Sequence, residues 1–147
     1  NKGREYVKRE FEKNLNYMPG FKSLHNMVIT NYKTALVTAS PQHNLNWVRT
    51  IIDLDYYFEN ILSGEETTRN KPHPEPYLEM MSRLNVKPSN TIIIEDSLNG
   101  IHAGLKSGAF VIAKTGSVPT KELSIAHKIV SSLNEINKNL IEELLQK

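Results

Sequence analysis

From about residue 20 onwards, short apolar runs alternate with stretches in which hydrophobic residues recur every three or four positions. The short runs predict buried strands, and the wider spacing predicts amphipathic helices. The predicted strands are TALVTAS at 34–40, a weaker YFENILSG at 57–64, TIIIED at 91–96, FVIAKTG at 110–116 and KIVSSL at 128–133. This alternation predicts an α/β fold with a doubly wound parallel sheet.

The helices are predicted from the same pattern. The residues that mark them are Phe21, Leu24 and Met27/Val28, then Leu45, Val48 and Ile52, then Tyr77, Leu78, Met81 and Leu84, and finally Ile136, Leu140 and Leu144. Ser40 and Pro41 predict an N-cap and a first-turn proline. A further helix is expected from about Ser97 to Ser107, with Gly108 as its stop.

Two local patterns predict how that last region packs. Gly100 and Gly104 lie four residues apart on one helix face, which indicates close packing against the sheet, since glycine otherwise costs a helix about 0.5–1 kcal/mol. The run Ile92-Ile93-Ile94 is apolar at every position. It predicts a central strand covered by helices on both faces.

The first segment differs from the rest of the chain. Val7, Phe11 and Leu15 are spaced by four on an otherwise charged stretch, which predicts a helix with one narrow apolar stripe. Pro19 and Gly20 then break the pattern. We therefore expect two parts, a short helical piece at 1–18 and an α/β part at 19–147.

Composition narrows the classes of function. The chain has 147 residues, 18 Lys+Arg against 16 Asp+Glu, a net charge of +2 and no cysteine. The charge is too balanced to predict nucleic-acid or membrane binding, and thiolate catalysis and cysteine-bound zinc are excluded. No apolar run reaches the length of a membrane span. We expect a soluble, cytoplasmic protein.

Glu95 and Asp96 come directly after the strongest strand. Ligands of open parallel sheets bind beyond the carboxyl ends of the strands. Adjacent carboxylates there suit Mg²⁺, which takes one or two carboxylates and completes its shell with water and phosphate. Acids that complement the dipole of the following helix are an equally good interpretation of these two residues alone.

Two further features could bind an anion. Thr38, Ala39 and Ser40 end the first predicted strand and offer hydroxyl and backbone N–H groups, although a simple N-cap explains Ser40 as well. Lys71 lies in the proline-rich loop TTRNKPHPEP, where it could neutralise a phosphate or simply be solvated. The five histidines show no metal-ligand spacing and are expected at the surface or as caps.

The order of these features resembles the haloacid dehalogenase superfamily, in particular its phosphatase and phosphomutase branch. The resemblance runs from about YMPGF to FVIAK and implies a Rossmann-like core. It implies that Thr38 and the backbone of Ala39 bind phosphate, with Ser40 beside them, and that Lys71 steadies the phosphate. It also implies that Glu95 and Asp96 hold Mg²⁺, Asp96 more securely than Glu95.

One part of the superfamily pattern is not found. Its nucleophile is the first aspartate of an Asp-x-Asp-x-Thr/Val motif on the first strand, and the nearest match, DLDYY at Asp53, follows Thr38 and sits at the end of a predicted helix. We therefore expect 1–18 to be the end of a helical cap and the first strand to precede Asn1. That strand would lie between the strands of Leu36 and Ile93. It would be supplied by a further segment or a second chain, or the sheet would be rearranged.

The leading hypothesis is a Mg²⁺-dependent phosphatase of a small phosphorylated metabolite, acting through a phosphoaspartyl intermediate. The chain by itself is expected to be inactive, because the nucleophile would lie outside it. A phosphomutase uses the same core, and an inactive phosphate- or Mg²⁺-binding module is the second alternative. A nucleotide-binding domain of another α/β family is not supported, because neither GxGxxG nor GxxxxGK[ST] occurs.

Overall fold

The computed structural model describes residues 19–146. The helices are α1 (Phe21–Val28), α2 (Gln42–Val48), α3 (Leu54–Tyr57), α4 (Glu75–Leu84), α5 (Leu98–Ser107) and α6 (Lys138–Leu145). The strands are β1 (Ala35–Val37), β2 (Asn60–Leu62), β3 (Ile92–Glu95), β4 (Phe110–Lys114) and β5 (Lys128–Val130). All five predicted strands are confirmed, whereas the predicted helix at 1–18 lies outside the described residues.

The strands form two parallel sheets. In the smaller, β1 pairs with β2 and Leu36 lies opposite Ile61. In the larger, β4 lies between β3 and β5, and Ile93 lies opposite Val111. Within residues 19–146, β1 and β3 are not paired with each other. The parallel α/β architecture is confirmed, and Leu36 and Ile93 do not pair directly, as the sequence predicted.

Most of the core belongs to the larger sheet. One buried cluster lies under α4 and α5 and includes Tyr77, Ile93 and Val111. The other packs under α1 and α6 around Ile112. The prediction that both faces of β3 are covered is wrong at Ile94, which is 40% exposed. β3 is covered on the face that carries Ile93 but left open where Ile94 points.

Several local predictions need correction. Ser40 is not the N-cap of α2: Pro41 occupies that position, and no side chain caps the helix. α2 ends at Val48, so Ile52 lies outside it. Asp53 does not end a helix but begins α3, where its side chain accepts from the Tyr56 N–H at 3.2 Å.

The histidine prediction is wrong at His25, although His73 behaves as a cap because its Nδ1 accepts from the Glu75 N–H at 3.1 Å. His25 is only 5% exposed, between the rings of Phe21, Tyr56 and Tyr57. Its position is decided by packing of α1 against α3. None of the helices in the described part of the chain is long and apolar enough to cross a membrane.

Candidate active site

The predicted site residues follow β1 and β3 at their carboxyl ends. Thr38 and Ser40 follow β1, and Glu95 and Asp96 end and follow β3. Lys71 comes from the segment between β2 and α4 and reaches both strands. The structure therefore brings residues from two of the predicted features, Lys71 and Glu95, together at the carboxyl ends of the strands.

Lys71 connects the end of β1 directly to the end of β3. Its Nζ donates to the backbone oxygen of Val37 at 3.0 Å and to Oε1 of Glu95 at 2.7 Å. The lysine and glutamate side chains are 14% and 10% exposed. The alternative that this lysine is solvated is therefore wrong. Its ammonium group forms a partly buried ion pair with Glu95 and a hydrogen bond with Val37, and it thereby joins the end of β1 to the end of β3.

The loop that carries the lysine is held by two glutamates that the sequence did not single out. Glu75, in the first turn of α4, accepts from the backbone N–H groups of Thr68 and Arg69, both at 3.0 Å. Glu66 accepts from the backbone N–H of Ser63 at 2.6 Å. These charge-assisted bonds fix the course of the loop and hence the place of the ammonium.

Glu95 is fully engaged. Its Oε1 also accepts from the Tyr77 hydroxyl at 2.5 Å, and its Oε2 accepts from the Ser97 hydroxyl at 3.1 Å. Burial alone would raise the pKa of the Glu95 carboxyl, but the Lys71 charge and the three donors hold that pKa below its ordinary value. Glu95 is therefore a carboxylate with both oxygens in use.

Gly100 has a different role from the one predicted. A Cβ there would lie 2.0 Å from Oε2 of Glu95, so this glycine makes room for the carboxylate. Gly104 does pack against the sheet as predicted, since a Cβ there would lie 2.8 Å from a methyl group of Val111. The two glycines share a helix face, but only one of them faces apolar neighbours.

Asp96 is exposed, unlike Glu95. Its Oδ2 accepts from the Ser117 hydroxyl at 2.8 Å, and Ser117 belongs to the loop after β4. One exposed carboxylate fits Mg²⁺, which often binds through one or two carboxylates plus water and phosphate. In residues 19–146 there is no group of three or more His, Cys, Asp or Glu side chains that could hold a metal by themselves.

The predicted phosphate-binding segment is a tight turn after β1. Thr38 Oγ1 accepts from the Ser40 N–H at 3.1 Å, which leaves the hydroxyl hydrogen of Thr38 for another acceptor. The Ser40 carbonyl accepts from the Gly64 N–H at 2.8 Å. A Cβ at Gly64 would lie 2.1 Å from the Ala39 oxygen, so glycine is required for this close approach.

Sequence reasoning missed Tyr77, Ser97 and Ser117. Tyr77 was assigned to the apolar face of a helix, which is where its ring lies, but its hydroxyl reaches Glu95. The signal that could have identified it is a tyrosine instead of a phenylalanine at a buried position, because a buried hydroxyl needs a partner. Ser117 has no such signal, since an exposed serine is common in any loop.

Comparison with known proteins shows which sequences and structures this chain is similar to. The sequence profile of the haloacid dehalogenase-like hydrolases matches residues 2–114. The chain is 34% identical over 105 residues to a phosphorylated carbohydrates phosphatase of Thermotoga maritima, covering 71% of this chain and 49% of the relative. It is 33% identical over 103 residues to hexitol phosphatase B of Escherichia coli K12, covering 69% and 46%.

A solved structure agrees with this similarity. The β-phosphoglucomutase of Clostridium difficile superposes with a TM-score of 0.77 at 32% identity, covering 88% of this chain and 56% of that one. The chain thus spans about half the length of the curated relatives it matches.

Proposed function

The chain belongs to the haloacid dehalogenase-like hydrolase family, and we propose that it carries the phosphate- and Mg²⁺-binding half of a phosphatase active site. The substrate would be a small phosphorylated metabolite, and the reaction would pass through a phosphoaspartyl intermediate. The observation that carries the proposal is the position of Lys71, which is held between the end of β1 and Glu95, the residue that precedes Asp96 in sequence. The attacking aspartate would lie outside residues 19–146.

The proposed roles follow from charge and hydrogen bonding. The Thr38 hydroxyl and the backbone N–H of Ala39 would bind phosphate oxygens, with the Ser40 hydroxyl beside them, because the Ser40 N–H already donates to Thr38 Oγ1. The Lys71 ammonium would stabilise the negative charge that develops as the phosphoryl group is transferred. Pre-positioned donors of this kind are worth about 10²–10³ in rate each.

Asp96 would hold Mg²⁺, which when bound would neutralise phosphate charge. Its exposed carboxylate and its bond to Ser117 support this role. The sequence pattern also assigned Glu95 to the metal. Glu95 is less suited to that role, because its carboxylate already accepts from Lys71, Tyr77 and Ser97.

The test is release of inorganic phosphate from a panel of phosphorylated sugars and sugar alcohols, with and without Mg²⁺, by this chain completed with the strand that carries the attacking aspartate. We expect Mg²⁺-dependent turnover that is lost in Asp96→Asn and falls about 10²-fold in Thr38→Val. The control is Asp55→Asn, because Asp55 is paired with Arg49 away from this group. Equal turnover by Asp96→Asn and Asp55→Asn would contradict the proposal.

A phosphomutase is the second candidate, because the β-phosphoglucomutase of Clostridium difficile is among the similar structures. The same assay separates the two: a mutase would produce a phosphate-shifted sugar isomer and little free phosphate. Binding of phosphate and Mg²⁺ with neither product would instead favour the inactive binding module.

A further inference from the structure

We propose that Tyr77 is a positioning residue that holds Glu95 on Lys71. Glu95 then serves as the counter-ion of the lysine, and Asp96 is left as the carboxylate of the described site that binds the divalent cation. This inference rests on the proposed function and divides the adjacent acids between two tasks. A shared task was the expectation from the sequence, where both acids were assigned to the metal.

The position of Tyr77 is the first argument. The side chain lies in the first turns of α4 and the residue is 7% exposed. Its hydroxyl donates to Oε1 of Glu95, the oxygen that also accepts from Lys71. Its ring lies under the same ammonium, with 4.9 Å between Nζ and the ring centroid. One side chain therefore touches both members of the ion pair.

The surroundings of Glu95 are the second argument. Ser97 donates to Oε2 on the other side of the carboxylate, and the absence of a side chain at Gly100 provides the space that the carboxylate occupies. Three donors on two oxygens hold the group in one orientation. A carboxylate held in this way is poorly placed to turn towards a metal ion and bind it.

Asp96 supplies the contrast. It is exposed, and one hydroxyl, that of Ser117, donates to its Oδ2. Among residues 19–146 no cation is paired with Asp96, so Mg²⁺ could bind there without breaking an ion pair within this part of the chain. The adjacent acids thus differ in what a cation would have to displace.

Removing the Tyr77 hydroxyl tests the positioning role without removing the ring. In Tyr77→Phe, the Glu95 carboxylate loses one hydrogen-bond donor and is no longer held in one position against the Lys71 ammonium. The direct readout is the side-chain ammonium signal of Lys71 in ¹⁵N NMR, assigned with Lys71→Arg. We expect this signal to shift or broaden in Tyr77→Phe and to be unchanged in Tyr56→Phe, whose side chain is exposed.

Binding of inorganic phosphate gives a second readout. We expect Tyr77→Phe to weaken it about tenfold, the usual value of a hydrogen bond to a charged group, with Mg²⁺ affinity unchanged. An unchanged Lys71 signal in Tyr77→Phe would overturn the inference, whatever the effect on activity. The signal is informative even if the protein hydrolyses no phosphate ester, so failure of the proposed function is distinguishable.

The division between the acids is tested by titrating the full chain with Mg²⁺ alone. We expect Asp96→Asn to weaken binding at least about tenfold and Glu95→Gln to change it less than about threefold. Glutamine keeps the shape of Glu95 and an oxygen that can accept from Lys71, so the fold is preserved. Equal weakening by both variants would show that Glu95 is a metal ligand and overturn the inference.

Discussion

The two sheets differ in how deeply they are buried. In the larger sheet, Val111, Ile112 and Ala113 of the central strand are inaccessible to solvent, with apolar clusters on both faces. In the smaller sheet, every residue of β1 is only half-buried: Leu36 packs on a small cluster of its own, and Val37 packs against the cluster of the larger sheet. α4 packs against both strands of the smaller sheet and against α5 of the larger one.

This difference separates stability from chemistry. The larger sheet supplies most of the apolar burial, and hence most of the hydrophobic stabilisation. The candidate site lies where the two sheets approach each other, and it depends on a charged contact from the loop before α4. Displacing the smaller sheet from the larger one would separate Lys71 from Glu95 or from Val37.

The largest effect on the contact between the sheets is expected from Lys71→Ala. Its loss leaves Glu95 buried without a counter-charge, which we expect to lower the free energy of unfolding by about 4 kcal/mol. Urea unfolding measures this, and adding Glu95→Gln in the same chain should recover part of the loss. The control is Lys87→Ala. Lys87 is exposed, so we expect this variant to change the free energy of unfolding by less than about 0.5 kcal/mol. Equal stability of the two lysine variants would show that the pair does not hold the sheets together.

A direct comparison of the sheets comes from truncating one strand residue in each. We expect Ile112→Ala to cost about 3 kcal/mol, because it leaves a cavity in a fully buried core. Leu36→Ala, at a half-buried position, should cost about 1 kcal/mol. The measurement is again urea unfolding, and equal losses would mean that the smaller sheet is as well packed as the larger.

Gly100→Ala sharpens the comparison at the site itself. The new methyl group would overlap the Glu95 carboxylate, so we expect a loss of about 1–3 kcal/mol and a displaced carboxylate. Gly104→Ala should cost less, because its neighbours are ends of aliphatic side chains that can shift. The midpoints of thermal unfolding rank the two variants. If Gly100→Ala raised the midpoint, the Glu95 carboxylate could not lie where the structure has it.

The smallest effect is a pH dependence in the loop that carries Lys71. A backbone hydrogen bond from Ser63 is the main cause that keeps the pKa of Glu66 below 4.5, helped by Arg83. The folded state thus favours the carboxylate, and this stabilisation is present above about pH 4.5 and lost as the pH falls through the lower folded-state pKa. We expect the urea midpoint of Glu66→Gln to lose this dependence on pH, whereas the midpoint of Glu65→Gln should keep it.

Local interactions made parts of this structure predictable. Gly108 ends α5 at φ 90°, as the sequence indicated, and the helix begins next to Ser97, which caps it through the Gly100 N–H. The parallel strands followed from apolar runs separated by helices. Thr38, Lys71, Glu95 and Asp96 were proposed as site residues because their order along the chain resembles a family pattern.

The orientation of side chains at the site was decided by the tertiary structure. Whether Glu95 turns to Lys71 or towards Asp96 depends on Tyr77, 18 residues away in sequence, and on the space left by Gly100. Ser117 reaches Asp96 from 21 residues away. The sequence by itself determined which groups stand at the strand ends, because strand and helix periods are local. Only the fold decided which charges meet, because hydrogen bonds and ion pairs depend on distances that packing sets.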